Sequence, residues 1–451
     1  MSDEQRDDRS MRSTAQEEHL LAPSASRRDA SSILLHPLSG ITARLQLGMR
    51  PLLAALTSPS AWWALPIFLS FRAISAILII EAAGRQPDLA ADPGWHVEGD
   101  DLSHPGYWEV LTNWDGQWYK SIALHGYPTD PDAFGPSARQ NETAFYPMYP
   151  LIVRTLMQLT GQRFEIVAPS LSLAASAIAM VLLCRWLEKT RGIGLALGAI
   201  VVLSAFPTAP VFQMAYTEGV AIVFLIVALR AAIERRYRTL LVVGALLAVT
   251  RPIALPLGAF LLLLALAQFR RDRSRGAPFD RQPGLAGLAI VGSALVWPLC
   301  VWVITGIPDA YFRTAAAWVA AGGLRGGWIT GIWTLGMPVL SVSMVALLAA
   351  LLLLRARRGI WTGPRDNLGP WAVTYMLYIL FTTSVNTSIF RYVLLTFVAL
   401  APLSSWACQT WTVKTIVARW VPIVVAELVL QYIWIHEVLV VSTSPSLGWP
   451  P

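Results

Sequence analysis

Segment 108–127, WEVLTNWDGQWYKSIALHGY, sets a carboxylate among aromatic side chains. Read as one helix, it brings Leu111, Trp114, Trp118 and Ile122 near one face, spaced three or four apart. Trp and Tyr favour the membrane–water interface. Asp115 and Tyr119 fall on the adjoining stripe, one turn apart. Such a helix rests on a leaflet and turns Asp115 toward the protein, where a carboxylate can serve as a general base. The same pattern also describes a tryptophan-rich anchor whose Asp is merely solvated.

Charges inside apolar runs are the second signal. Arg or Asp near a helix centre costs ~2.5–3.5 kcal/mol on insertion scales, so it faces a cavity or a partner. At ~1.5 Å of rise per residue, Glu218 in AYTEGV falls roughly 10 Å below the outer surface. Arg251 in LAVTRP lies at a similar depth, Arg72 near mid-membrane, and Arg391 in NTSIFRYVLL at the outer start of a span. An internal ion pair such as Glu218 with Arg251 accounts for burying them, and a paired Glu can also hold a phosphate-binding Arg in place. Arginine grips phosphate in bidentate geometry. These residues suit an outward-opening cavity in which Arg391 and Arg251 bind the phosphate of a lipid-phosphate sugar donor. The arginines stabilise the leaving lipid phosphate, and Asp115 takes the proton of an attacking hydroxyl. A one-step displacement inverts the anomeric carbon.

The elements that must position these residues are transmembrane. Of 451 residues, 55% are hydrophobic and 14% charged, against about 25% charged in soluble domains. Ten apolar runs lie near 62–83, 165–187, 192–209, 211–233, 239–269, 284–307, 336–355, 370–386, 390–408 and 415–440. The expected fold is an all-α polytopic membrane protein with about 9–11 spans, most near the ~20 residues that cross a bilayer. The net charge of +7 comes from arginine clusters between runs, as topology requires, so no nucleic-acid partner is expected. Those clusters all become cytoplasmic under three conditions. The N-terminus is inside, 145–160 lies at the interface rather than crossing, and 239–269 returns to its starting side. Thr250-Arg251-Pro252 sits mid-run, and proline breaks or kinks a helix. Broken backbone survives in a membrane only where it lines a protein cavity.

The expected domains are a disordered cytoplasmic tail at 1–60, a transmembrane domain at 61–440 and a short outer tail at 441–451. Within the transmembrane domain, 84–163 is a first outer loop with interfacial helices and 308–335 a second. Scarce lysine with abundant arginine, alanine and leucine suggests a GC-rich bacterial genome, hence a bacterial inner membrane with the active site on the outer side.

Six segments then carry a family resemblance: NWDGQWY (113–119), FYPMYPLIVR (145–154), AYTEGV (215–220), LAVTRP (247–252), PDAYFRTAAAW (308–318) and TSIFRY (387–392). In this order they resemble the PIG-V-like mannosyltransferases, a C-type glycosyltransferase family with bacterial members. The resemblance covers roughly 100–400. It implies a C-type fold, a polyprenyl- or dolichyl-phosphate-mannose donor, a lipid-linked or glycan acceptor, and a catalytic acid in the first outer loop, which falls on Asp115. Its motifs add Tyr146 and Tyr392 to Trp114, Tyr119, His125 and Glu218 as substrate-binding or supporting residues.

No cofactor or metal is expected. Asp130-Pro131-Asp132 has the D-x-D form that metal-dependent transferases use, but Pro128 and Gly135 around it favour a turn. Cys184, Cys300 and Cys408 are far apart and form no C-x-x-C. Tyr311, Arg313 and Trp318 suit either a sugar-contacting edge or an interfacial tryptophan belt. Asn386-Thr387-Ser388 fits an N-glycosylation sequon, idle in a bacterium. A transporter or flippase for a lipid-linked or anionic substrate is the alternative function. Such folds favour paired halves and a mid-membrane site, and no internal repeat is evident here.

Overall fold

The computed structural model describes residues 59–86, 105–135, 140–321, 368–383, 388–397 and 413–440. These residues fall in one compact unit spanning Leu53–Pro451. The tails at 1–58 and 441–451, the run 336–355, Cys408 and Asn386 of the sequon lie outside the described residues.

The described residues are all-helical. In chain order come α1 (Pro59–Ala83), α2 (Tyr107–Val110), α3 (Asp115–His125), α4 (Met148–Thr160), α5 (Phe164–Arg191), α6 (Ile193–Ala205), α7 (Glu218–Ile233), α8 (Tyr237–Ala248) and α9 (Ala254–Ser274). There follow α10 (Gln282–Ser293), α11 (Val296–Thr305), α12 (Ala310–Ala321), α13 (Leu368–Thr382), α14 (Ile389–Leu394) and α15 (Val413–Trp434). Among them, five helical stretches are long and apolar enough to cross a membrane: Trp62–Ala83, Phe164–Arg191, Ala254–Ser274, Gln282–Thr305 and Trp420–Leu439. Isoleucine, leucine and valine on α1, α9, α10 and α15 are exposed, which suits helices solvated by lipid rather than water.

Neighbouring helices pack in sequence, α5 on α6 and α7, α7 on α8, α9 on α10, with α1 lying against α5 and α6. Close approach is set by small residues. A Cβ on Gly219 would lie within 2.8 Å of the Ser172 carbonyl oxygen, so only glycine lets α7 seat on α5 at this point. Arg72 is buried in α1 and donates to the Ser204 carbonyl at 2.5 Å and to the Ala209 carbonyl. Those carbonyls sit at and beyond the end of α6, where the helix leaves acceptors unsatisfied and favours a cation. The two terminal nitrogens of Arg72 are therefore held by backbone carbonyls rather than by an acid, while its buried Nε has no partner among the described residues.

The break at Thr250-Arg251-Pro252 is present. α8 ends at Ala248, α9 begins at Ala254, and the turn between them lies against α4 through Met148 N–H donating to the Val249 carbonyl at 2.9 Å. α4 has 13 residues, about 20 Å at ~1.5 Å per residue and short of the bilayer core. The run 211–233 departs from expectation. Residues Ala209–Gln213 form a 3-10 turn, and helix α7 starts only at Glu218. Pro207 and Pro210, with no N–H to donate, stop a continuous helix there.

Candidate active site

Segment 108–127 is not one helix. α2 ends at Val110, Trp114 adopts φ 59° and ψ −114°, and α3 starts at Asp115. A positive φ is rare for a bulky residue and persists only where its surroundings enforce it. Here Trp114 Nε1 donates to the Leu439 carbonyl at 2.8 Å, and Asn113 Nδ2 donates to Gln86 Oε1 at 2.7 Å. The Ala215 N–H also donates to the Leu111 carbonyl at 2.8 Å. The kink places Asp115 in the first turn of α3, beside the strand of chain that leads into α7.

The aromatic face also departs from expectation. Trp118 does not lie on a leaflet. It is buried, stacked on Phe145 at 5.8 Å and meeting Trp318 edge-on at 5.4 Å. Tyr119 packs edge-on against Phe145 and Tyr149. This cluster clamps α3 to α4 and to α12, so residues read as a membrane anchor form a protein core.

Asp115 points inward. Its Oδ2 lies 2.6 Å from Arg391 Nη1, which is also 3.1 Å from Glu218 Oε1. Glu218 Oε1 is in turn 2.8 Å from Arg251 Nη1, and Arg251 donates to Thr217 Oγ1 at 2.7 Å. Two carboxylates and two guanidinium groups thus alternate in one chain, a balance that lowers the cost of burying any one of them. Tyr392 lies under both arginines, 5.4 Å from Arg251 and 5.0 Å from Arg391, and Tyr216 lies 4.9 Å from Arg391, within cation–π range. Burial pushes the Asp115 carboxyl above its ordinary range, and the Arg391 cation holds part of that rise back. Burial likewise raises the Tyr146 hydroxyl, which shares a 3.0 Å hydrogen bond with Tyr311.

A cavity of about 160 Å³ opens beside this chain. Asp115, Tyr119, Tyr146, Arg251, Tyr375 and Tyr392 are among its lining residues. Four of the six sequence segments therefore meet at one void, and AYTEGV stands behind it through Glu218. The sixth, 308–318, reaches it indirectly through Tyr311 on Tyr146 and Trp318 on Trp118.

Three placements differ from expectation. Arg391 is not at an exposed rim. It is 3% exposed and sits behind the cavity, between Asp115 and Glu218, while Arg251 faces the void. His125 is exposed at the far end of α3, ten residue steps from Asp115 and so about 15 Å along the axis at ~1.5 Å per residue. Arg313 is turned away, ion-paired with Asp309 at 2.8 Å and bonded to the Phe134 carbonyl. Tyr375 and Thr383 line the cavity without having been foreseen. Tyr375 stacks between Trp371 and Tyr378, and a tyrosine-bearing aromatic stripe in run 370–386 was the available signal.

Asp130 and Asp132 form a turn, with Asp130 Oδ1 accepting from the Asp132 N–H at 3.0 Å. Among the described residues, no three His, Cys, Asp or Glu side chains gather as a metal site.

No protein-family model matches the chain. No curated protein matches it. Among solved structures, the chain is similar to the apo form of an oligosaccharyltransferase from Archaeoglobus fulgidus, with 15% identity and a TM-score of 0.45. The match covers 85% of this chain and 56% of that one, so this chain spans little more than half the length of that protein.

Proposed function

We infer that the protein is an integral membrane glycosyltransferase of the C type. It moves a sugar from a polyprenyl-phosphate carrier to a hydroxyl of a lipid-linked or glycan acceptor, on the non-cytoplasmic face of a bacterial inner membrane. Mannose is the sugar favoured by the motif resemblance. The observation that carries the reading is the Asp115 carboxylate, held at 2.6 Å by Arg391 on the wall of a cavity that Arg251 also lines.

In this reaction an acceptor oxygen attacks the anomeric carbon as Asp115 takes its proton. The bond from that carbon to the phosphate oxygen breaks, its electron pair leaves with the lipid phosphate, and the carbon inverts. Arg251 faces the cavity and meets the developing phosphate charge. Arg391 orients Asp115 and favours its ionised form against the cost of burial. Tyr119, Tyr146, Tyr375 and Tyr392 line the void with hydroxyls able to donate to or accept from sugar hydroxyls. The charge that must be neutralised is a single phosphate, within the reach of arginine alone.

The test offers membranes containing the full chain either polyprenyl-phosphate mannose or the nucleotide sugar GDP-mannose, with the lipid carrier removed. Transfer from the lipid-phosphate donor alone is expected. Transfer from the nucleotide sugar without any lipid carrier would overturn the donor assignment.

A further inference from the structure

A second cavity, about 320 Å³, lies at the other end of the helices. From Glu218 to Ile233, α7 rises about 22 Å at ~1.5 Å per residue, and Ile233 lines this void. It opens where α7 and α9 end and α8 and α10 begin. Arg235, Tyr237, Arg271, Asp272, Arg275 and Pro283 line it. With Arg235 also paired to Asp280 at 3.8 Å, Arg271 and Arg275 against Asp272 still leave this lining positive.

The charge is concentrated here. Segments 230–238 and 270–281, which span the helix ends and the turns between them, carry nine arginines and three acids, and two of the acids are already engaged. Glu234 pairs with Arg230 and Arg236, and Asp280 with Arg235 at 3.8 Å. Arg235 sits at φ 55°, a conformation a non-glycine residue keeps only where it is held. Two helices of 12 residues each, α8 and α10, start at the cavity, and a helix start favours anions.

Part of the lining is apolar. Leu261 and Leu264 of α9 line the void, and Leu263 and Leu266 of α9 and Leu285 and Leu288 of α10 are exposed. A phosphate in the cavity would therefore have acyl-chain-binding surface directly beside it. We propose that this cavity binds the phosphate headgroup of an anionic phospholipid, whose chains lie along α9 and α10. Basic pockets between spans suit this ligand. The assignment is independent of the reaction at the other end of the bundle.

The full chain in dodecyl maltoside, titrated with phosphatidylglycerol, phosphatidylcholine or sn-glycerol 3-phosphate, tests it through the melting temperature. The variant is R271Q/R275Q, at two exposed positions whose change leaves the helix packing in place. Phosphatidylglycerol is expected to raise the melting temperature of the wild type, and phosphatidylcholine to leave it unchanged. The double variant should bind phosphatidylglycerol about 30-fold more weakly, on the scale of ~1 kcal/mol per arginine near a lipid phosphate. Equal response to the two lipids, or wild-type affinity in the variant, overturns the site. Protection by glycerol phosphate as strong as by the lipid overturns the lipid source and leaves a soluble phosphate ligand.

Discussion

Replacing Arg391 by glutamine separates two roles for the same guanidinium. If Arg391 serves Asp115, removing it deprives a buried carboxylate of a cation 2.6 Å away. At an effective dielectric of about 20 and a charge separation of about 4 Å, that attraction is worth roughly 4 kcal/mol. Losing that attraction lifts the Asp115 pKa further. The wild-type carboxyl already lies above its ordinary range because it is buried. A base whose pKa is raised loses its working form as pH falls through the new value. The acid limb of kcat/KM, which reports the free enzyme, should thus lie above the usual carboxylate range in the wild type. In Arg391→Gln it should move further up, with activity returning in alkaline buffer. Arg391→Lys should fall between the two. If Arg391 instead gripped the donor phosphate, the limb would stay in place and the donor KM would rise at every pH. That outcome would refute the reasoning.

Two further substitutions test how the site is held. Gly219→Ala forces a Cβ against the Ser172 carbonyl oxygen and should cost about 1–3 kcal/mol, as overpacking does. It should lower both melting temperature and turnover, since Glu218 is the adjacent residue; an unchanged melting curve would contradict the close seating of α7 on α5. Trp118→Ala removes the stack on Phe145 and the contact with Trp318. It should cost about 3–5 kcal/mol in unfolding free energy, whereas a Trp lying on a leaflet would give a small change.

The break at Pro252 and the pairing of Glu218 with Arg251 were legible in the sequence, because both follow from strict costs. A proline mid-run removes a donor, and a lone charge in a span needs a partner. The inward turn of Asp115 was legible from its stripe. The kink at Trp114 was not. Helical periodicity runs straight through it, and what enforces φ 59° is a bond to the Leu439 carbonyl, 325 residues away. Trp118 misled for a related reason. A tryptophan at helical spacing looks the same whether it meets lipid or another aromatic ring, and here Phe145 and Trp318 supply the rings. Arg391 was read at a rim because its run begins there. Its burial depends on Asp115 and Glu218 arriving from two other helices, which no local pattern records.

The central claim is that Asp115 is the base, and Asp115→Asn measures it most directly. Asparagine keeps the shape, leaves Arg391 paired with Glu218 at 3.1 Å, and cannot accept the proton. With a lipid-phosphate mannose donor in membranes, sugar transfer should fall by about 10²–10⁴-fold, while melting temperature and membrane insertion stay near wild type. Wild-type turnover in a folded Asp115→Asn protein would contradict the claim.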